Sequence, residues 1–426
     1  MKLTRRQFGQ GLAAAGAATF ASSIGAPAFA QNEKLRIGIL CPRAGAAATV
    51  GECALRAVQW GADRMNKNGG IAGRQIELVI EEETNPKDTI ERFRRLVLQE
   101  KVACVQGIVS TGVSLGVAPA AEDERALLIL WDGTTQDGVK ETMPNPNYVF
   151  RSTDNECEAV MSSLLALKFY KGQFRKVAGI NPDYSYGRNN WEAFQQLLKR
   201  YKVEYEVVAE QWPKVGTLDL TSNVAALNAA KPDLIFSSML FADLPVFLKQ
   251  GHAAGLFSGT KLVLPAATWQ INQLSKEYVP EGSILGYNTL YFALPNASAL
   301  QKEFVAYYFD RFKEAPHWEA DRAYFALAAY KEGVEAAHKA AGKWPKTEEI
   351  IAAIPGREIQ SLGGPGRFRK DKIAEQMFYQ GPSTNKNEHP FPTLASVEAI
   401  SAEHLQKPAG VDFWEWIKTA PMPIGA

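Results

Sequence analysis

The chain holds 426 residues, 46% of them hydrophobic and 22% charged, with 47 Lys and Arg against 46 Asp and Glu. That near-neutral balance argues against nucleic acid as the main partner, and no apolar run after the opening segment approaches the ~20 residues needed to span a bilayer. The length points to two domains, since single cores rarely grow past ~250–300 residues.

Residues 1–30 read as an address. Thr4-Arg5-Arg6-Gln7-Phe8 is followed by an Ala/Gly-rich apolar run over 11–21 and then by Ala28-Phe29-Ala30. A basic start, an apolar middle and an A-x-A-like end describe an export signal, and the adjacent arginines resemble a twin-arginine signal, with cleavage expected after Ala30. No Cys stands just after Ala30, which argues against a lipoprotein anchor at that point. Gly9-Gln10-Gly11-Leu12-Ala13-Ala14 matches G-x-G-x-x-A, but no strand precedes it, so dinucleotide binding is discarded. Loss of Lys2, Arg5 and Arg6 with the signal moves the formal charge from +1 to −2. Cys41, Cys53, Cys104 and Cys157 fit neither a disulfide-dense scaffold nor a zinc spacing. Most are expected as buried thiols, with one bridge left open. No metal and no cofactor are expected.

The first structural unit spans residues 35–80. A nearly all-apolar strand at 35–40 suits a parallel sheet covered on both faces. Val50, Ala54, Val58, Gly61 and Met65 recur every three or four residues and predict a helix with one buried face. Asn68-Gly69-Gly70 stops it, because Gly tolerates the left-handed conformation past a helix end. A second strand follows at 75–80, completing a βαβ unit. Asn85-Pro86 starts the next helix, with Asn as cap and Pro at the first position. Strands at 102–105 and 127–130 flank a short helix carrying Val113 and Val117. After residue 151 the alternation starts again. A helix capped near Asp154 runs to about residue 170, followed by strands at 176–180, 203–208, 233–238 and 261–264, with helices at 186–201, 223–230 and 243–254 between them. Two such runs predict an α/β chain of two doubly wound parallel-sheet lobes.

Sheets of this kind bind ligands at the carboxyl ends of their strands. The loops there hold Cys41-Pro42-Arg43, Ser110-Thr111, Trp131-Asp132-Gly133-Thr134, Asp183-Tyr184-Ser185-Tyr186, Met239-Leu240-Phe241 and Ala266-Ala267-Thr268-Trp269. Ser110, Thr111 and Thr134 stand beside helix starts, where free N–H groups and hydroxyls can hold a carboxylate; each is equally an ordinary N-cap. Tyr186, Phe241 and Trp269 taken singly are packing residues, but together they suggest a ligand shelf.

Six stretches stand out together: Ile37-Gly38-Ile39, Asn66-Lys67-Asn68-Gly69-Gly70-Ile71-Ala72-Gly73-Arg74, Glu81-Glu82-Glu83-Thr84-Asn85-Pro86-Lys87, Asp183-Tyr184-Ser185-Tyr186-Gly187, Lys231-Pro232-Asp233-Leu234-Ile235 with Leu248-Lys249-Gln250, and Gly364-Pro365-Gly366-Arg367-Phe368. In these the chain resembles type I periplasmic solute-binding proteins of ABC importers, the leucine/branched-chain amino-acid group. The resemblance implies a periplasmic protein that captures a small solute between two lobes and delivers it to an inner-membrane permease with its ATPase. The implied division is 31–150 for the first lobe, 151–287 for the second, 288–362 returning to the first, and 363–426 for the last crossing, completion of the second lobe and the tail. Three hinge crossings are expected near 150–153, 286–291 and 363–368. The resemblance further implies that Ser110, Thr111 and Thr134 hold the ligand carboxylate, with Tyr186 and Phe241 closing from the second lobe.

Amino-acid binders of this family place an acid after the strand at 261–264 to hold the ligand ammonium. Here Ala266-Ala267-Thr268 stands in that place, leaving Thr268 as the expected contact. Either Asp132 supplies the negative charge, or the ligand has no amine and Trp131, Tyr186, Phe241 and Trp269 surround an aromatic or aliphatic acid. A buried Asp132 needs compensation, which leaves open a ligand cation, an Arg43–Asp132 pair or hydrogen-bond donors.

Gly112-Val113-Ser114-Leu115-Gly116 matches G-x-S-x-G, the hydrolase nucleophile motif. The match begins several residues after the strand, so Ser114 falls inside a helix and away from a nucleophile elbow; no enzyme is expected. A ligand-sensing receptor component is the alternative to transport. Near the end, helices are expected at 304–314 and 320–341, a loop at 381–392, and Phe413-Trp414-Glu415-Trp416-Ile417 either packs on a lobe or forms a dimer contact.

Overall fold

The computed structural model describes residues 34–152 and 156–423. The export signal at 1–30, residue 153 of the first expected crossing and the Asp154 cap lie outside the described residues.

An apolar strand covered by helices is the unit from which both lobes are built. The first lobe contains β1 (Leu35–Cys41), α1 (Ala48–Lys67), β2 (Ile76–Glu82), α2 (Pro86–Arg94), β3 (Cys104–Gly107), α3 (Thr111–Asp123), β4 (Leu128–Leu130), α4 (Gln136–Thr142) and β5 (Val149–Arg151). Its strands form one parallel sheet in the order β2-β1-β3-β4-β5. The second lobe follows with α5 (Glu156–Tyr170), β6 (Lys176–Ile180), α6 (Ser185–Arg200), β7 (Glu206–Gln211), α7 (Thr221–Ala230), β8 (Leu234–Phe236), α8 (Asp243–Ala253), β9 (Lys261–Leu264) and β10 (Ile284–Asn288). Strands β7, β6, β8, β9 and β10 are parallel neighbours in that order.

The chain then returns to the first lobe through α9 (Ala299–Phe312), α10 (Trp318–Ala341) and α11 (Thr347–Ala353). A small antiparallel sheet of β11 (Ile359–Ser361), β12 (Gly364–Phe368) and β13 (Ala374–Glu375) leads back. There β14 (Met377–Thr384) runs antiparallel to β10 and carries β15 (Thr393–Leu394) and β16 (Glu398–Ser401). The last helix, α12 (Phe413–Trp416), completes the chain.

Local chemistry explains most of these boundaries. The five apolar positions expected on α1 are all buried, and α1 lies directly on α10. Gly61 permits that approach: a Cβ there would lie 2.9 Å from the Tyr324 ring. Asn85 caps α2 by accepting the Asp88 N–H at 3.0 Å. Among the described residues no helix is long and apolar enough to cross a membrane.

Some expectations are corrected. The strand placed at 203–208 forms at Glu206–Gln211, because Lys202 turns left-handed (φ +54°) and Val203 donates back to Leu198, closing α6. The third strand starts two residues late, after α2 runs on through a π turn at Arg95–Gln99 and Lys101 adopts φ +51°. The expected loop at 381–392 begins as the end of β14. Phe413, Trp416 and Ile417 pack into the core of the second lobe. Cys41, Cys53 and Cys104 are buried free thiols, and Cys157 is buried as well.

Because the Tyr324 ring is itself packed, Gly61→Leu should destabilise the fold by about 1–3 kcal/mol, read as a lower urea midpoint at unchanged slope.

Candidate functional site

Loops at the carboxyl ends of both sheets enclose a cavity of about 310 Å³. The first lobe contributes Val109, Ser110, Thr111 and Gly112 after β3 and Asp132 after β4. The second contributes Asp183, Tyr184 and Tyr186 after β6, Lys214 and Val215 after β7, Phe241 after β8 and Trp269 after β9. Six of the residues expected from the sequence therefore meet around one space: Ser110, Thr111, Asp132, Tyr186, Phe241 and Trp269.

Four do not line it. Thr268 is fully buried in the turn after β9 and donates to the Gly286 carbonyl at 2.6 Å. Trp131 is sealed in the first-lobe core. Thr134 is also buried, and its hydroxyl has no hydrogen-bond partner among the described residues. Arg43 is exposed and lines a different cavity, of about 400 Å³, which shares only Trp269 with the first.

The walls are aromatic. Phe241, held at φ +54°, stacks on Trp269 with centroids 5.5 Å apart and planes 4° from parallel. Trp269 in turn stacks on Trp318 at 5.0 Å. Tyr184, which sequence reasoning left out of the site, stacks on Tyr186 at 5.9 Å. Such offset stacks make flat, apolar surfaces suited to another ring.

Polar groups concentrate at the start of α3. Val113 and Ser114 donate to the Ser110 carbonyl, and the Ser110 side chain makes no capping bond. The N–H groups of Thr111 and Gly112 precede any intrahelical acceptor and belong to residues that line the cavity. Beneath them Glu83, also missed from the sequence, accepts the N–H groups of Val109 and Ser110, each at 2.8 Å. Burial pushes its carboxyl up to about 7, against the pull of those hydrogen bonds. Ser114 is fully buried and donates to the Asp132 carbonyl at 3.3 Å, which withdraws the G-x-S-x-G serine from any exposed position.

In place of an Arg43–Asp132 pair the structure has a different one. Asp132 bonds to Arg322, a residue of α10 that is 190 positions away in the chain. The same guanidinium donates to Glu158 at 3.0 Å, and Glu319 stands 3.9 Å from it. All four side chains are at most 2% exposed. Three carboxyls around one cation cannot all stay charged out of water. Burial raises all three, holding Glu158 at about 8 and Glu319 well above its ordinary range. Burial also raises Asp132, against the pull of Arg322 and the Gly133 N–H at 2.6 Å. Burial thus pushes the carboxyls around Arg322 toward their protonated forms. The cluster also sets the cavity wall: Tyr186 donates to Glu158 at 3.4 Å and the Trp269 indole to Glu319 at 3.3 Å. Glu319, Asp321 and Arg322 on a helix otherwise rich in Ala and aromatics were the sequence signal for it.

A sequence model described as periplasmic binding protein matches residues 34–387. The chain belongs to the periplasmic binding protein family. Leu/Ile/Val-binding protein homolog 3 of Brucella melitensis biotype 1 is 26% identical over 243 residues, which cover 56% of this chain and 62% of that relative. The chain thus spans less than two-thirds of that relative's length. Among solved structures, it is similar to a solute binding protein of an ABC transporter from Rhodopseudomonas palustris BisB5 in complex with 3,4-dihydroxy benzoic acid (TM-score 0.74, 23% identity, covering 87% of this chain and 98% of that one). It is also similar to the branched-chain amino acid transporter substrate binding protein LivJ from Streptococcus pneumoniae in complex with isoleucine (TM-score 0.70, 18% identity, covering 87% and 100%). The two lobes are those of a type I periplasmic binding protein.

Two outcomes follow from the Arg322 cluster. Arg322→Met should cost about 3–5 kcal/mol in urea unfolding, because it leaves the buried Asp132 without its cationic partner. Glu158 has its folded-state value raised to about 8, so its contribution to stability is complete below the ordinary glutamate value and is lost as pH rises through about 8. Unfolding free energy should therefore fall from weakly acidic to weakly alkaline pH, and Glu158→Gln should flatten part of that slope in urea melts run across the range.

Proposed function

We propose that this periplasmic binding protein captures an aromatic carboxylate lacking an amino group and delivers it to an ABC importer. The observation that carries the reading is the cavity's combination of stacked aromatic walls with anion-holding donors at one end and no unpaired acid. Ser110, Thr111 and the amides at the start of α3 are the proposed carboxylate site, with Lys214 at the rim adding positive charge. Phe241, Trp269, Tyr184 and Tyr186 are proposed to clamp the ring. An amino-acid ligand would need a negative partner for its ammonium group. Asp132 is already matched by Arg322, and Asp183 by Arg188 at 2.6 Å. Burying an ammonium without such a partner costs several kcal/mol. That a structural relative holds 3,4-dihydroxy benzoic acid supports this reading; that another holds isoleucine supports amino acids as the second reading.

The proposed cycle is capture by hinge closure across the three crossings near 150–153, 286–291 and 363–368, with ligand favouring the closed lobes because it touches both. The proposed setting is the periplasm after removal of residues 1–30. The partners are the inner-membrane permease and its ATPase, and the chain itself makes and breaks no bond.

Ligand-stripped protein starting at Gln31 should be melted against benzoate, hydroxybenzoates, aliphatic acids, and branched-chain and aromatic amino acids. A ligand at 1,000 times its dissociation constant adds about 4 kcal/mol, enough for a clear upward shift. Shifts with aromatic acids and none with leucine or isoleucine are expected; shifts with amino acids alone would sink the amine-free reading. Phe241→Ala should weaken benzoate binding about tenfold in calorimetry while the unliganded melting midpoint stays near that of the wild type.

A further inference from the structure

The start of α3 already holds a carboxylate of the protein's own. Glu83 follows β2 directly, and its N–H donates to the Cys41 carbonyl at 2.9 Å, anchoring the backbone under the β3–α3 loop. From there its side chain, 4% exposed, takes the Val109 and Ser110 amides. The loop is built for this contact. Gly107 (φ +135°) and Ile108 (φ +69°) turn the chain, and a Cβ on Gly107 would sit 1.9 Å from the Leu40 carbonyl oxygen. Two donors are thereby consumed by the protein, and the next two amides, of Thr111 and Gly112, are left to the cavity. The groups facing Glu83 are these loop amides, the Ser110 hydroxyl, the Asp132 carboxylate from the loop after β4, and the Cys41 thiol at the end of β1. No guanidinium or ammonium bonds to it among the described residues.

We propose that Glu83 is a positioning residue that couples ligand capture to the uptake of one proton. The proposal rests on the reading of the cavity as a carboxylate site. A ligand carboxylate on Thr111 and Gly112 would stand next to a second, buried carboxylate on Val109 and Ser110, both on one helix start. Like charges at that range disfavour double ionisation. The balance is ligand anion plus solvent proton plus charged Glu83 giving bound anion and neutral Glu83, whose new O–H has the Ser110 hydroxyl or the ligand oxygen as acceptor. Burial, aided by Asp132 and opposed by the hydrogen bonds from Val109 and Ser110, already brings the Glu83 carboxyl up to about 7, so the proton is available near neutrality. The ligand raises the value further. Affinity is then constant below the unliganded value and falls as pH rises above it, by up to about tenfold per pH unit.

Calorimetry of the protein starting at Gln31 with benzoate, at about pH 8 in two buffers of different ionisation enthalpy, reads the proton directly. Uptake approaching one proton per benzoate is expected, together with an affinity that weakens on going from about pH 7 to about pH 9. Glu83→Gln should bind with no uptake and a flat profile. Wild-type binding without uptake overturns the proposal, as does uptake that survives in Glu83→Gln. If Glu83→Gln does not fold, the wild-type uptake and the wild-type pH profile of affinity still decide. Failure of wild-type protein to bind benzoate even at acidic pH refutes the cavity reading itself, and the role of Glu83 falls with it.

Discussion

One buried guanidinium holds the two lobes in register. Arg322 reaches from α10, which packs on the first lobe, to Asp132 at the end of that lobe's fourth strand and to Glu158 in the first turn of the second lobe. The Glu158 carbonyl accepts the Gln380 side-chain amide at 3.1 Å, and the same amide reaches Asn288 at 2.9 Å. A polar chain therefore runs from the first lobe through the ion cluster to β10 and β14. Removing such charges from water costs several kcal/mol for each ion, and only near-complete pairing and hydrogen bonding return it. That demand leaves few tolerated geometries. The cavity's aromatic residues inherit one of them, because Tyr186 and Trp269 are bonded to Glu158 and Glu319.

The electrostatic consequence reaches the ligand class. A pocket with three carboxyls around it looks acidic by residue count, yet burial pushes all three toward the protonated form and the Arg322 guanidinium lies among them. What faces the cavity is an apolar, aromatic space with donors at one end. Asp132, which residue type alone would offer to a ligand cation, already has Arg322 as its partner. Glu83 illustrates the same logic in reverse: a carboxylate placed at a helix start spends the donors that an anion would use, and so limits where the anion can sit.

The sequence carried nearly all of the fold class and gathered half a dozen of the residues that line the candidate cavity. Loops after parallel strands must face one edge, so Ser110, Thr111, Asp132, Tyr186, Phe241 and Trp269 could be gathered before any coordinate was known. The same rule brought in Thr268, Trp131, Thr134 and Arg43, because loop position does not say which way a side chain points. Thr268 turned to its own backbone neighbourhood, Trp131 and Thr134 turned inward, and Arg43 faced another cavity.

By itself, then, the sequence determined what local physics decides: apolar strands, amphipathic helices such as α1, the Asn85 cap, and the alternation that forces two parallel sheets. Those follow from periodicity and backbone preference within a few tens of residues. Tertiary structure alone decided the pairings between distant positions, of which Arg322 with Asp132 across 190 residues is the decisive case. Charge state, burial and side-chain direction depend on what the rest of the chain places nearby, and no short window of sequence contains that information.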